Sequence, residues 1–300
     1  MHGSRTQVLS ASERMCALGR PVEQLRHVLE KLYTKYNHRQ LIPPDPLQFL
    51  YRYSGFADRE VAGFLSAVLA YGRVQQIEKS LNDLLSRMGE SPSAFVKNFG
   101  KIERERLRSF KHRFTTGGDI SDLLEVLARI LGEHASIESY FLRGYADTDK
   151  DVIPALSTFC DSLLRMHAER HGGRTSPGLK YLLVRPSLGS ACKRLNLFLR
   201  WMVRKDEVDP GLWTSIDKAK LIVPVDVHMN RLCRILWLHD RKTVSLATAV
   251  MITENFSKIE PADPVKYDFA LTRIGIVDNC DGSYRQQCSD CDLFRYCFGS

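Results

Sequence analysis

The chain has 300 residues, 44% of them hydrophobic and 26% charged, enough for one large or two modest domains with a real core. No apolar run reaches the length of a membrane span, and the polar stretch from Met1 to Arg20 has no signal-peptide core, so neither membrane insertion nor secretion is expected. The formal net charge of +8 favours an anionic partner without naming one.

In chain order, residues 1–20 read as a flexible tail in front of a cytoplasmic fold. After Pro21, a good first-turn residue, Leu25, Val28, Leu29, Leu32, Tyr33 and Tyr36 form one helical stripe. Asp58 is expected to cap a helix carrying Val61, Phe64, Leu65, Val68 and Leu69. Further helices should carry Val74, Ile77, Leu81, Leu84 and Leu85, then Leu123, Leu127, Ile130 and Leu131, then Leu156, Phe159, Leu163 and Leu164. Breaks fall at Leu41–Pro46, Gly117–Gly118, Gly172–Gly178, Asp206–Gly211 and Glu260–Pro264. No stretch alternates with period two, so no sheet is expected and the fold class is all-α.

From Arg185 to Lys205 the chain carries Arg185, Lys193, Arg194, Arg200, Arg204 and Lys205 and no acidic residue. The segment opens with a turn, Arg185-Pro186-Ser187-Leu188-Gly189-Ser190, and runs into a helix whose buried face is Leu195, Phe198, Leu199 and Met202. Lys193, Arg200 and Arg204 then fall on the opposite side. A glycine-containing turn that feeds a helix N-terminus offers backbone N–H groups to a phosphate, and cations beside it suit a nucleic-acid backbone. An ordinary solvated helix face is the plainer alternative.

Further on, the apolar run Leu221-Ile222-Val223-Pro224-Val225 delivers Asp226 to the start of a helix containing Leu232, Ile235 and Leu236. Asp226 is suited to cap that helix. It is also a carboxylate at the edge of an apolar wall, where it could stabilise a developing cation. His228 and Arg231 are placed to hold a phosphate or to steady Asp226.

Cys16, Cys160, Cys192 and Cys233 read as buried thiols. Cys280, Cys288, Cys291 and Cys297 follow the pattern C-x₇-C-x₂-C-x₅-C. In a chain without secretory features, four such cysteines point to a metal rather than to disulfides. Four thiolates suit Zn²⁺ or a [4Fe–4S] cluster, and the single C-x₂-C hook favours the cluster over zinc, which usually shows two. Such a site would stiffen a loop rather than perform chemistry.

Together these pieces resemble the helix-hairpin-helix DNA glycosylases, the superfamily of endonuclease III. Val225-Asp226-Val227-His228 with Arg231 is similar to the segment that carries its catalytic Asp, Pro186-Ser187-Leu188-Gly189 to its hairpin, and the last four cysteines to its iron–sulfur loop. Leu69-Ala70-Tyr71-Gly72-Arg73 stands where that superfamily has a DNA-wedging loop. Ser187 replaces the first hairpin glycine, Val227 replaces a threonine, and the first cysteine gap is longer than usual. The Lys193–Asp226 spacing instead resembles archaeal 8-oxoguanine glycosylases. Cys192–Asn196 and Asp209–Trp213 resemble a related bacterial family that brings no assigned activity.

The resemblance implies two helical domains, one built from 21–56 with 206–300 and the other from 57–205, with double-stranded DNA bound across the cleft between them. Lys193 would attack the sugar of a damaged, extruded nucleotide, an oxidised purine among the candidates, and Asp226 would assist. Arg194, the helix N-terminus and partial burial are each expected to favour the neutral amine of Lys193. Backbone and base contacts would come from Arg185, Ser187, Gly189, Ser190, Arg194, Arg200, Arg204, His228, Arg231, Tyr71 and Arg73. The expected activity is DNA base excision with strand nicking, near the nucleoid and without an obligate protein partner. A non-catalytic nucleic-acid-binding protein on the same scaffold is the alternative, and RNA stays open as a ligand.

Overall fold

The computed structural model describes residues 22–278, 280 and 283–297. The tail expected over residues 1–20, and Cys16 with it, lies outside them. Among the described residues the protein is mostly helical, and none of its helices is long and apolar enough to cross a membrane.

The first helix, α1 (Val22–Tyr36), buries the stripe Leu25, Leu29, Leu32 and Tyr36. A 3-10 segment over Pro46–Arg52 follows, capped by the Asp45 side chain. It packs along α2 (Phe56–Val68), which is buried continuously from Glu60 to Val68. Asp58 does not cap α2, which starts two residues before it. Its carboxylate accepts instead from Ser91 Oγ and Ser93 N, at the start of a later helix. The helix α3 (Val74–Met88) ends on Gly89, whose φ of 79° a side-chain-bearing residue seldom adopts. Next come α4 (Pro92–Lys97) and α5 (Lys101–Leu107).

A short antiparallel ladder stands where no sheet was expected. Lys111–His112 (β1) pairs with Thr115–Thr116 (β2) around the connecting residues Arg113 and Phe114. Two-residue strands are too short for a period-two pattern to register. The chain then enters α6 (Gly117–Glu133), where a Cβ on Gly117 would sit 1.8 Å from the Leu107 carbonyl oxygen. Close backbone packing therefore demands glycine at that point. The helices α7 (Ile137–Phe141), α8 (Ile153–Arg170) and α9 (Pro177–Leu182) complete this stretch.

Central to the molecule is α10 (Lys193–Val203), buried from Leu195 to Val203 and packed against α2. Phe198 meets Phe64 and Trp213 edge to face, with ring centroids 5.1 and 5.2 Å away. Such fully buried side chains each contribute about 1.5–3 kcal/mol. Burial on all sides overturns one expectation: Arg200 and Arg204 are not on a solvent face. Both are 2% exposed. Arg200 pairs with Asp209 and Asp268, and Arg204 with Asp206, Asp209 and Asp263. A basic segment without its own acids took them from elsewhere in the chain, because a buried guanidinium must be paired.

Past this ion cluster come α11 (Val227–Ile235), α12 (Leu246–Ile259) and α13 (Asp268–Ile276). Both α12 and α13 pack on α1. Arg273 on α13 donates to Asp45 and to the carbonyls of Leu41 and Ile42, which fastens the Pro46–Arg52 segment to the C-terminal helices. The last described helix is α14 (Phe294–Cys297).

Candidate active site

Lys193 is the first residue of α10, directly after Cys192, whose φ of 47° and ψ of 37° are unusual for a non-glycine residue. The Cys192 thiol donates to Val184 O at 3.3 Å, and Ser190 Oγ accepts from Cys192 N at 3.2 Å. Before it, Pro186–Leu188 forms one 3-10 turn that ends on Gly189 at φ 76°. Gly189 O accepts from Leu246 N at 2.8 Å, which ties this turn to the start of α12. Ser187 and Gly189 are exposed, Ser190 is half-buried, and Arg185 is held by Asp161 at 3.2 Å.

Asp226 arrives on a buried extended segment, Leu221–Val225, whose Val223 N–H donates to Thr253 Oγ1. It caps α11: Oδ1 accepts from Met229 N at 2.9 Å. The other oxygen, Oδ2, lies 3.7 Å from Lys193 Nζ. Both side chains are partly exposed, so the pair sits at a mouth and not in the core. One groove of about 630 Å³ contains Lys193 and Asp226, with Tyr71, Gly72, Arg194 and His228 in its walls. Ala70, Leu182, Leu195, Val225 and Val244 make much of the remaining wall apolar.

Arg194 is held within the groove wall. It donates to the carbonyls of Val68 and Tyr181, and its guanidinium lies over the rings of Tyr181 and Tyr71, at 4.6 and 5.2 Å. It therefore braces the wall, and the phosphate contact expected of it is not made from this position. Burial lowers its pKa. Arg200 and Arg204 are too deep to meet a ligand at all, as described above.

His228 and Arg231 serve a different partner from the one expected. Arg231 Nη2 approaches His228 Nδ1 at 2.8 Å and Cys280 O at 3.0 Å. A guanidinium only donates, so Nδ1 accepts and the neutral ring carries its proton on Nε2. Burial, and then the charge of Arg231, lower the His228 pKa, in keeping with a neutral ring. The two residues join α11 to the cysteine loop.

Tyr71 also has its hydroxyl engaged, donating to Thr115 Oγ1 at 2.6 Å. Its ring stacks on Phe114, with centroids 5.3 Å apart, and meets Tyr181 edge to face. Sequence reasoning did not single out Phe114, which is 57% exposed. Arg73 is exposed and shares a surface hollow with Gln76, Lys111 and Arg113.

The thiols of Cys280, Cys288, Cys291 and Cys297 are partly buried and free of disulfides. Cys280, Cys288 and Cys291 line one cavity of about 310 Å³ together with Tyr36 and Asp278. Burial, followed by the neighbouring thiols of Cys291, Cys280 and Cys288, pushes the Cys297 thiol up to about 11. Among the described residues, however, no three His, Cys, Asp or Glu side chains stand close enough together to hold a metal ion. Their donor chemistry, rather than their present spacing, is what fits a thiophilic metal.

No curated protein matches this chain, and no solved structure does. One family model matches residues 45–277, which include Lys193, Asp226 and the β1–β2 turn and stop short of Cys280. With more than half of its length matched, the chain belongs to the family described as protein of unknown function, DUF2400.

Proposed function

We propose that this protein is a DNA glycosylase of base-excision repair with an accompanying lyase step, in which Lys193 is the nucleophile and Asp226 its partner. The observation that carries the reading is the 3.7 Å approach of Lys193 Nζ to Asp226 Oδ2 at the mouth of one apolar-walled groove. The amine is at the start of a helix, and the carboxylate at the start of another. Such fixed positions hold reacting groups with little freedom to lose. The groove would lie between two helical halves, 21–56 with 206–300 and 57–205, and the turn at Pro186–Gly189 would be its helix-hairpin-helix element.

A damaged nucleotide must leave the duplex to reach such a groove. The neutral amine of Lys193 attacks the anomeric carbon of the sugar as the bond to the base breaks, and the base departs with its electron pair. While the bond to the base breaks, Asp226 is an anion that stabilises the cationic character of the sugar, and once the new C–N bond has formed its Oδ2 takes the proton that the nitrogen gives up and passes it to the ring oxygen as the ring opens. Ring opening gives a Schiff base between Nζ and the former anomeric carbon. The Asp226 carboxylate, an anion again, then takes a proton from the neighbouring carbon, and the electron pair left behind expels the 3′ phosphate and nicks the strand. The four C-terminal cysteines would hold a [4Fe–4S] cluster, or zinc in its place. The group would stiffen the loop that Arg231 joins to α11, and none of these steps passes through it.

The second reading, a binding protein without turnover, is favoured by one observation: Oδ1 of Asp226 already serves as the cap of α11. Borohydride reduction on a panel of lesion-containing duplexes separates the two. A covalent adduct that disappears in Lys193→Gln supports the enzyme. Base release without an adduct assigns water as the nucleophile and leaves Lys193 a binding role. Binding without release on any lesion leaves only the second reading.

A further inference from the structure

We propose that Phe114, at the tip of the β1–β2 turn, enters the base stack of duplex DNA and fills the gap left by the extruded nucleotide. The inference rests on the reading of the groove given above. Four observations point to it. Phe114 is 57% exposed, and its ring lies against Tyr71, a residue of the groove wall. Tyr71 cannot fill a gap itself, because its hydroxyl is bonded to Thr115 and its faces are packed by Phe114, Tyr181 and Arg194. It forms a platform behind the exposed ring.

The turn is also held stiffly. His112, fully buried, places Nδ1 2.9 Å from Ser80 Oγ and Nε2 3.1 Å from Tyr71 O. Arg113 occupies φ 56°, a costly backbone for a non-glycine residue, and its side chain crosses Gly72 so closely that a Cβ there would be 2.7 Å from its Cδ. The backbone strain is spent on presenting two adjacent side chains outward.

Finally, the surface beside the tip has one charge sign. Arg73, Lys111 and Arg113 line a hollow of about 440 Å³ with Gln76 and no acid. An apolar ring flanked by cations matches a base stack flanked by phosphates, and a wedge of this kind is how proteins prop open a base step. A protein partner would call for a broader apolar patch than one ring.

The test uses the full chain and a duplex carrying a tetrahydrofuran abasic analogue, with the same strand alone as the control, read by anisotropy. Phe114→Ala should weaken duplex binding about ten-fold and single-strand binding less than about two-fold, because only the duplex has a gap to fill. Phe114→Trp should restore the duplex preference. Both variants should still melt in one transition near the wild-type temperature, with Phe114→Ala slightly lower because it gives up ring contacts with Tyr71 and Tyr181. Unchanged duplex binding in Phe114→Ala, or equal weakening on both DNA forms, overturns the inference. Borohydride trapping on an aldehydic abasic duplex is read in parallel. A wild type that binds but never traps defeats the Schiff-base chemistry and leaves the anisotropy comparison decisive for Phe114. A wild type that binds no duplex overturns both.

Discussion

The two oxygens of Asp226 face different residues: Oδ1 takes the N–H of Met229, while Oδ2 looks across the groove at Lys193 Nζ from 3.7 Å. One side chain thus starts a helix and addresses an amine. The two jobs can be separated. Asp226→Asn keeps a good capping residue, so stability should change by only a few tenths of a kcal/mol, roughly. Turnover should fall about 10²–10⁴-fold. Asp226→Ala should lose turnover and also about 1 kcal/mol of stability. Single-turnover base release and thermal melting of the three proteins check this. An asparagine variant as active as wild type would leave Asp226 a cap alone.

The buried arginines give the opposite expectation from rim arginines. Arg200→Met strands Asp268 inside the protein and leaves Asp209 to Arg204 alone, and should cost about 3–5 kcal/mol. Arg185→Ala, at the partly exposed turn, should stay within about 0.5 kcal/mol of wild type in stability. If it touches phosphate, it should lower the salt dependence of duplex binding by about one unit of slope. Urea melts and a salt titration distinguish the two. A mild Arg200→Met variant would show that the cluster contributes little.

His112 makes the hairpin sensitive to acid. Burial, and then the charges of Arg113 and Arg194, lower its pKa below the ordinary value of 6.5. A base whose pKa is depressed by folding binds fewer protons in the folded state than in the unfolded one. Its contribution to stability is therefore complete above about pH 6.5 and is lost as the pH falls below that value. The melting-temperature gap between wild type and His112→Asn should accordingly narrow from pH 8 to about pH 5. A gap that is flat, or that widens on acidification, contradicts this.

Gly189 tests the turn that feeds α10. Its φ of 76° suits glycine, and no atom stands within 4 Å of where a Cβ would go. Gly189→Ala should thus cost only the backbone penalty, about 1 kcal/mol. A loss of several times that in melting experiments would reveal a clash the geometry does not contain.

The cysteine loop calls for direct chemistry. Anaerobically purified protein should show a broad visible absorption with matching iron and acid-labile sulfide, and Cys288→Ser should diminish all three. Zinc at one equivalent with no visible band would assign the alternative metal. Neither metal in the purified protein would remove the cofactor from the proposed function while leaving the Lys193–Asp226 pair untouched.

Much of the scaffold was legible because helices announce themselves by spacing. The stripes of α1, α3 and α6 are the buried faces their sequences mark. Lys193 and Asp226 were legible as candidates from the segments around them. What escaped has physical causes. Arg200 and Arg204 were placed outside because a helical wheel treats arginine as solvated, and their acidic partners lie beyond the segment being read. Asp58 was assigned to the nearest helix start, whereas its hydrogen bonds go to Ser91 and Ser93. The β1–β2 turn gave no signal, since Arg113 is not a residue type that favours a positive φ. Tyr71 was expected to contact DNA from a wedging loop, but a sequence does not show that its hydroxyl is bonded to Thr115 and its ring packed on Phe114 and Tyr181.

The ion cluster at the far end of α10 bears on heat as well as on architecture. Lys193 opens that helix, while Arg200 lies within it and Arg204 just after it, and between them the two arginines are held by four largely buried aspartates. A rod clamped so firmly at one end does not roll or unwind piecemeal, so the bearing of the amine is set by charges about two to three turns away. Warming should leave that bearing intact until the whole molecule gives way, and whatever this groove does should end at the melting point rather than fade ahead of it.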